Sequence, residues 1–378
     1  MPDVTLTYIS FGSNKGHRLH ALQKAIYALG TQVGDIQAVS PVYETPAQGF
    51  EGEDFLNMCV AVNTSLTPDK LMVALIKIEQ NMGRVRNPGL GYQSRIIDLD
   101  ILYYGDQVIQ SETLSIPHPE IQNRIFVLKP LADIAPQFYH PVLGKDTRNM
   151  LQECTDRSAM AKVHPPLAAN RESFFSGVNF LAIEGNIGAG KTSLAKRIAG
   201  DFNAKIVLER FADNPFLPKF YKDQNRYAFP LEMSFLADRY QQFTDDTSQL
   251  DLFKNFMVSD YDIYKSLIFA QITLQKDEFN LYRKIFNSMY TNVKKPDLYV
   301  YLYQNTERLI DNIRKRGRSY EQEIEPEYLN HINKGYLDFI KSQQEQKSAI
   351  LDISELDFID LEGDYQQILE EIEGYWLQ

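Results

Sequence analysis

The sequence predicts two domains of different class, an N-terminal α+β sandwich and a C-terminal α/β fold built on a parallel sheet. Three observations lead there. The 378 residues exceed a single domain at roughly 100–200 residues each. The N-terminal half alternates in the order strand, helix, strand, helix, strand, which favours an α+β sandwich over a doubly wound sheet. The C-terminal half opens on a short apolar strand that runs into a glycine-rich turn and a helix, the usual start of a parallel α/β sheet.

Each element rests on a local pattern. Val4–Phe11 reads as a strand. Leu19, Leu22, Ile26 and Leu29 recur at helical spacing, and Gly30 reads as the end of that helix. Phe55–Val62 is the next strand. Thr67-Pro68 opens a helix through Met82, with threonine as N-cap and proline in the first turn, and Ile96–Tyr104 returns to strand. From Thr155 to Gly177 the chain holds His164-Pro165-Pro166 and a small, polar run from Ala168 to Ser173. Adjacent prolines break helix and sheet alike, so this stretch reads as a linker. It sets domains at 1–158 and 177–378, with 159–176 between them. Beyond it, Asn179–Glu184, Asn255–Val258 and Leu298–Tyr303 read as strands, and helices start at Lys191 and near Thr306 and Asp364.

Composition bounds the function. Lys plus Arg total 39 against 50 Asp plus Glu, a net charge of −11, the opposite of the basic footprint of a nucleic-acid binder. A phosphorylated ligand must then be met by local positive clusters. Only two cysteines occur, Cys59 and Cys154, so there is no disulfide framework and no cysteine-rich zinc site. The Met-Pro-Asp-Val-Thr start has no signal core, and no apolar run approaches the roughly 18–20 residues of a membrane span. A cytoplasmic, acidic chain acting on small molecules, with no nucleic acid and no membrane, is the expectation.

The sharpest signal is Gly185-Asn186-Ile187-Gly188-Ala189-Gly190-Lys191-Thr192, followed by Ser193, which fits G-x-x-x-x-G-K-[ST] at every fixed position. Glycines let backbone N–H groups face a phosphate chain at a helix N-terminus; Lys191 would reach the terminal phosphates and the Thr192 hydroxyl would ligate Mg²⁺. Phe256-Met-Val-Ser-Asp260 has the form of a strand ending in a Mg²⁺-facing carboxylate, though an ordinary strand-end aspartate has the same form. Arg314-Lys-Arg316-Gly-Arg318 puts four cations in five residues, either a solvated helix end or a segment that closes over a triphosphate.

With these residues in view, the chain from about Phe180 onward resembles the deoxyribonucleoside kinase family. The matching pieces are Leu208-Glu209, Asp213-Asn-Pro-Phe, Tyr221, the block Tyr227–Arg239, Leu267-Ile-Phe-Ala270 and Arg316-Gly-Arg318-Ser-Tyr-Glu321. The resemblance implies ATP as co-substrate, one Mg²⁺ ion, Glu209 as the base for the nucleoside 5′-hydroxyl, and Arg316 and Arg318 in a lid. It places Tyr221 and Glu321 at the sugar 3′-hydroxyl, and it implies a homodimer through helices of the kinase domain.

Two departures stand out. Asp260-Tyr261-Asp262 occupies the place of the family's acidic residue followed by Arg-Ser, so an arginine that organises the catalytic carboxylate is missing; Arg210, directly after Glu209, is the candidate to compensate. Glu232 stands where the family has a base-reading glutamine. As an ionised carboxylate it only accepts hydrogen bonds, so it would welcome the exocyclic amine of adenine and repel the O6 of guanine. Arg239 and Ser266 align with the purine-preferring branch. Deoxyadenosine is therefore expected first, deoxyguanosine second and pyrimidines third.

In the N-terminal half the informative stretch is Arg95-Ile-Ile-Asp98-Leu-Asp100. Residues two apart on a strand share a face, so Asp98 and Asp100 project together, either into solvent or toward a pair of Mg²⁺ ions on a phosphate chain. Arg84, Arg86, Arg95, His118 and Arg124 lie around them in the sequence and would neutralise a triphosphate that has no glycine loop to hold it.

This half resembles 6-hydroxymethyl-7,8-dihydropterin pyrophosphokinase over nearly its whole length. The motifs are Phe11-Gly12-Ser13-Asn14 with Gly16, Tyr43-Glu-Thr45-Pro46, Asp54-Phe55-Leu56-Asn57, Gly83-Arg84-Val-Arg86, the Arg95–Asp100 stretch, Ile116-Pro-His118-Pro and Asn123-Arg124-Ile-Phe126. The resemblance implies a ferredoxin-like fold and transfer of diphosphate from ATP to the pterin hydroxymethyl group, releasing AMP. It implies two Mg²⁺ ions on Asp98 and Asp100, with Arg84, Arg95, His118 and Arg124 at the phosphates. Phe55 and Phe126 would sandwich the pterin, with Asn57 and the Thr45-Pro46 segment at its edge. Tyr92-Gln-Ser replaces the family's Trp-Gly-Pro on a loop expected to close, which implies altered rates.

The two resemblances together imply a bifunctional transferase of folate synthesis and deoxynucleoside salvage. A kinase half reduced to a nucleotide-binding module is the alternative, because of its missing arginine. A regulatory GTPase is disfavoured, since no N-K-x-D guanine-reading motif occurs.

Overall fold

Two compact units divide the chain between Phe174 and Phe175. The computed structural model describes residues 4–47, 52–84, 93–210, 214–248, 253–291, 293–343 and 345–378. Arg86, Tyr92 and Asp213, named above, lie outside the described residues.

The first unit runs β1 (Thr5–Ser13), α1 (Arg18–Gln32), β2 (Gly34–Val39), β3 (Val42–Thr45), β4 (Phe55–Thr64), α2 (Pro68–Asn81), β5 (Asp98–Tyr104), a small hairpin of β6 (Ile109–Gln110) and β7 (Ser115–Ile116), α3 (Ile125–Ile134), α4 (Thr147–Glu153) and β8 (Ala161–Val163). Its main sheet has the order β5-β1-β4-β3-β8, with β2 also pairing β4. The β1-α1-β2-β4-α2-β5 path with β1 and β4 central is the ferredoxin-like arrangement. All of its pairings are antiparallel. Met58, Val60 and Val62 of β4 are fully buried on the side that carries α1 and α2, whose Leu22, Ile26, Leu71 and Ile78 are buried as well. Cys59 and Ala61 point the other way into a cluster with Val127, Leu128 and Leu131 of α3, as alternation along a strand requires.

The expected elements are present, with displaced ends. Gly30 lies inside α1 rather than at its end, 3.6 Å by a virtual Cβ from Ile36 of β2, and the helix continues to Gln32. Thr67 occupies the N-cap position of α2 but makes no side-chain cap bond, while Pro68 and Asp69 fill the first turn, where fixed φ and negative charge suit a helix start. The stretch read as a linker is partly regular: β8 pairs with β3, and a short helix, α5 (Arg171–Ser176), follows. Gln23 of α1, 0% exposed, explains why this stretch is held. Its amide accepts from the Ala168 N–H at 2.9 Å and donates to the Ala168 carbonyl at 2.7 Å.

The second unit runs β9 (Phe180–Gly185), α6 (Lys191–Asp201), β10 (Lys205–Val207), α7 (Leu217–Phe220), α8 (Gln224–Ser248), β11 (Met257–Ser259), α9 (Lys265–Thr273), α10 (Lys276–Met289), β12 (Leu298–Tyr303), α11 (Thr306–Arg316), α12 (Pro326–Ser342), β13 (Ser348–Asp352) and α13 (Glu362–Trp376). The sheet order is β10-β11-β9-β12-β13, parallel throughout. All six residues of β9 are buried, as a central strand covered on both faces demands. The strand expected at 255–258 occupies Met257–Ser259. Among the described residues no helix is long and apolar enough to cross a membrane.

Gln23→Ala removes both bonds to Ala168, at about 1 kcal/mol each. Limited proteolysis of the full chain is expected to cut faster within 164–170 in this variant; an unchanged cleavage rate there would show that Gln23 does not hold the segment.

Candidate active sites

In the first unit the strand register builds the site. Asp98 of β5 lies opposite Gly12 of β1, Gly12 opposite Asn57 of β4, and Asn57 opposite Tyr43 of β3. One step along, Asp100 lies opposite Ser10, and Thr45 opposite Phe55. Alternation puts Asp98 and Asp100 on one face, as expected. The residues expected at the pterin, Thr45, Pro46, Phe55, Asn57 and Phe126, line the same cleft of about 1020 Å³ as Arg95, Asp98, Asp100, His118 and Arg124. Asn57 donates to the Thr45 hydroxyl at 2.8 Å. Arg95 and Arg124 lie 5.8 Å from the centres of the Phe55 and Phe126 rings.

Arg84 stands behind this cleft, bonded to Asp98 and to Glu79. Arg95 reaches the other oxygen of Asp98 at 2.5 Å. Burial raises the Asp100 carboxyl above its ordinary range, and the nearby negative charges of Asp98 and Glu79 push it the same way. Such a pair would be relieved by a divalent cation. Burial and the Arg124 charge lower His118, whose Nδ1 accepts from the Glu120 N–H at 3.2 Å, leaving the neutral ring a donor on the other nitrogen.

Two supporting roles escaped the sequence reading, that of Asn14, named there only within a motif, and that of Glu79, not named there. Asn14, 1% exposed, accepts from the Arg95 N–H at 2.7 Å and donates to the Glu53 carbonyl at 3.1 Å and the Ser94 hydroxyl at 3.2 Å. It thereby fixes the backbone that carries Arg95. Glu79, also 1% exposed, accepts from the Leu99 N–H at 2.9 Å and holds Arg84. Its position four residues after buried Leu75, on the core side of α2, was the available signal.

In the second unit the glycine loop caps α6. Gly190 at the N-cap has φ 84°, and a Cβ there would meet the Phe358 ring at 2.7 Å. Gly188 through Ser193 line a cleft of about 1590 Å³ with Arg308, Asn312, Arg316 and Arg318 and the segment Leu356–Asp360. That last segment carried no sequence signal. Gly185 and Asn186 lie beneath the loop: the Asn186 amide donates to the Leu329 carbonyl and to Asn333, each at 2.8 Å. Lys191 donates to the Gly185 and Asn186 carbonyls at 2.9 and 2.8 Å. Burial lowers its ammonium to about 8, with the nearby Lys265 adding to the effect.

Asp260, just past β11, joins the parts. It accepts from the Thr192 hydroxyl through one oxygen and from the Glu209 N–H, at 2.7 Å, through the other. Thr192 and Asp260, the expected Mg²⁺ ligands, are therefore in contact, a hydroxyl and a carboxylate suited to a hard cation.

Glu209 lies in a second cleft of about 820 Å³, shared with Tyr221, Glu232, Arg239, Lys265, Arg316, Arg318 and Glu321. Arg239 donates to Glu209 Oε1 from Nη2 at 2.7 Å and from Nε at 2.9 Å, and Lys265 Nζ lies 2.5 Å from Oε2. Burial would raise this carboxyl, but Lys265 and Arg239 outweigh it and bring it down to about 2. The compensation expected of Arg210 thus falls to Lys265 and Arg239. Arg210 is exposed, and its backbone N–H goes to Gln242 at 3.2 Å. Ser266 is fully buried, accepting from Arg239 at 2.8 Å, and is not among the residues lining the cleft. Arg239 and Ser266 therefore act together on Glu209. Arg316 and Arg318 both pair with Glu321, and Tyr221 stacks on Tyr320 at 6.3 Å.

Glu232 corrects the sequence argument. It is 2% exposed, and burial raises its carboxyl to about 7 against the opposing effects of Arg239, Thr273 and Lys265. Burial thus favours the neutral carboxyl, where the sequence argument took the ionised one.

Residues 181–375 match the deoxynucleoside kinase family, and residues 8–136 match the 7,8-dihydro-6-hydroxymethylpterin-pyrophosphokinase (HPPK) family. A deoxyguanosine kinase from Bacillus subtilis is 38% identical over 194 residues, 50% of this chain and 93% of the relative. A 2-amino-4-hydroxy-6-hydroxymethyldihydropteridine pyrophosphokinase from Synechocystis is 38% identical over 160 residues, 42% of this chain and 80% of the relative. A solved deoxyadenosine kinase from M. mycoides with bound dATP superposes with a TM-score of 0.45 at 26% identity, covering 50% of this chain and 96% of that one. The chain is a bifunctional, ATP-using transferase: it belongs to the HPPK family through its first unit and to the deoxynucleoside kinase family through its second.

Proposed function

We propose that the first unit transfers diphosphate from ATP to the hydroxymethyl group of 6-hydroxymethyl-7,8-dihydropterin on two Mg²⁺ ions. In the same reading, the second unit phosphorylates the 5′-hydroxyl of a purine deoxynucleoside, deoxyadenosine before deoxyguanosine, with one Mg²⁺ ion. The observation that carries the first reading is the single cleft in which Phe55 and Phe126 lie beside the Asp98–Asp100 pair. Flat apolar rings suit a pterin between them, while Arg95, Arg124 and His118 meet the triphosphate.

The observation that carries the second is the bridging role of Asp260 between Thr192 and the Glu209 backbone. It sets the phosphate-binding loop beside the carboxylate that receives the nucleoside hydroxyl. Bound at Thr192 and Asp260, Mg²⁺ would neutralise charge on the transferred phosphoryl group. Glu209 takes the 5′-hydroxyl proton as the new O–P bond forms and the bond to the ADP leaving group breaks. Arg316 and Arg318, held by Glu321, move to the phosphates, and Tyr221 and Glu321 hold the 3′-hydroxyl. Deoxyguanosine stays the second substrate because a Bacillus relative is named for it. A homodimer through the kinase unit completes the reading by family analogy; sedimentation of the full chain at twice the monomer mass is the expected result.

Turnover of Mg-ATP with each of the four deoxynucleosides, and with the pterin scored for AMP, tests both activities. Monophosphate should form from deoxyadenosine first and deoxyguanosine second; AMP from the pterin with no nucleoside phosphorylated would leave the second unit a binding module. Asp98→Asn should lower AMP formation by more than about 100-fold and leave the nucleoside reaction intact. Glu209→Gln should do the reverse, at about 10²–10⁴-fold. Lys265→Met should lower kcat for nucleoside phosphorylation by about 100-fold, the cost of a misplaced catalytic group, with KM for ATP nearly unchanged. A wild-type kcat in that variant would remove Lys265 from the site.

A further inference from the structure

The Glu232 carboxyl has two unlike oxygens. Oε1 accepts from the Thr273 hydroxyl at 3.1 Å. Oε2 is buried with no hydrogen-bond partner, and the residue lines the nucleoside cleft. An unpartnered buried polar atom costs free energy unless a ligand satisfies it. The nearby apolar groups, Phe220, Leu231, Phe235 and Phe269, offer it nothing.

The charged and titratable groups around it come from several elements. Arg239 is on its own helix, α8, but is committed to Glu209 and Ser266. Lys265 on α9 is committed to Glu209. Tyr282 on α10 donates to the Glu232 backbone carbonyl at 3.5 Å and is also hydrogen-bonded to the Ser266 side chain. Tyr221, following α7, and Tyr328 on α12 line the cleft as neutral phenols. None of the bonds these groups make reaches Oε2. Burial therefore dominates and brings the carboxyl up to about 7.

We propose that Glu232 reads adenine as a neutral carboxylic acid, and that its ionisation shifts preference from deoxyadenosine toward deoxyguanosine. The inference rests on the reading of this cleft as a purine deoxynucleoside site. In the neutral form Oε2–H donates to adenine N1, and the spare lone pair of Oε1 accepts from the N6 amino group, a two-bond match. The ionised form has acceptors only. It then faces the N1 lone pair of adenine, whereas guanine offers two donors, N1–H and N2–H, to the same pair of oxygens. This reverses the sequence-level argument, which took the ionised form as the reader of adenine, and it keeps deoxyadenosine preferred below neutrality.

The test is the ratio of kcat/KM for deoxyadenosine to that for deoxyguanosine between pH 6 and 8, in the full chain. Because kcat/KM reports groups of the free enzyme, and effects on ATP or Glu209 cancel in the ratio, the wild-type ratio should fall as a group titrating near 7 ionises. The fall should be at least about tenfold, from loss of the neutral form, and up to about 100-fold where the ionised form also gains guanine. Glu232→Gln, whose amide keeps one donor and one acceptor at every pH, should give a flat ratio; turnover of either purine deoxynucleoside by the variant reports that its second unit is folded. A flat wild-type ratio, or one that rises with pH, would overturn the proposal while leaving the purine site standing. If Glu232→Gln changes no nucleoside's kcat/KM, Glu232 does not read the base and the proposal falls; if pyrimidines are preferred, the purine reading of the cleft itself fails. Should the variant not fold, the wild-type profile alone still decides.

Discussion

Asp260 is the constraint on which the kinase unit depends. Its two oxygens are each committed, one to the Thr192 hydroxyl and one to the Glu209 N–H. β11, the strand it follows, lies between β10 and β9. A parallel sheet brings the carboxyl ends of neighbouring strands together at one edge, where ligands bind. The loop after β9 supplies the glycine turn, the segment after β10 supplies Glu209, and Asp260 locks the two at hydrogen-bond distance. Removing that carboxylate would break both bonds that tie the glycine loop to the Glu209 segment.

The first unit solves the same problem without a glycine loop. Its rigid element is β5, whose pairing with β1 fixes the register of Asp98 and Asp100. Two arginines, one from each end of the connection between α2 and β5, converge on Asp98, and each is anchored from behind, Arg84 by Glu79 and Arg95 through its backbone by Asn14. Orientation by a second layer of hydrogen bonds is what holds charged groups to a productive geometry. The Asn14 in the Phe11-Gly12-Ser13-Asn14 motif thus braces the backbone that carries Arg95.

Much of this was legible because the signals are local. The glycine loop, the D-x-D strand and the basic run ending at Arg318 are contiguous, and their chemistry is bound to their spacing. What escaped reading depends on packing. Lys265 looks like any surface lysine, since lysines are seldom buried unless paired, and only the fold reveals the Glu209 partner that keeps it inside. Arg210 looked better placed because it is next to Glu209 in sequence, yet adjacent side chains on an extended segment point apart. Gln23 and Ala168 are far apart in the chain, so nothing local marks the contact that orders part of the expected linker. Glu232 was read with its solution charge, and burial is what changes that charge.

For the base proposed above, the depressed Glu209 carboxyl looks at first like a poor choice. A group brought down to about 2 has little affinity for a proton, and general-base efficiency rises toward a matched pKa. Phosphoryl transfer, however, passes through a loose transition state in which the attacking hydroxyl has formed little bond and gained little acidity. Early in such a reaction the need is for a fixed acceptor that orients the hydroxyl in line, and a carboxylate locked by Arg239 and Lys265 meets it with no reorganisation. The proton need move only once the new O–P bond is nearly made, when the hydroxyl has become strongly acidic and even a weak base suffices. The two cations also keep Glu209 ionised across the physiological range, so the acceptor is always present. The Lys265 charge, close to Lys191, would then add to the field on the anionic phosphates in the proposed reaction. In the proposed reaction one buried ion cluster would in this way orient the nucleophile and support the leaving charge, which would account for burying three charged side chains that are costly to desolvate singly.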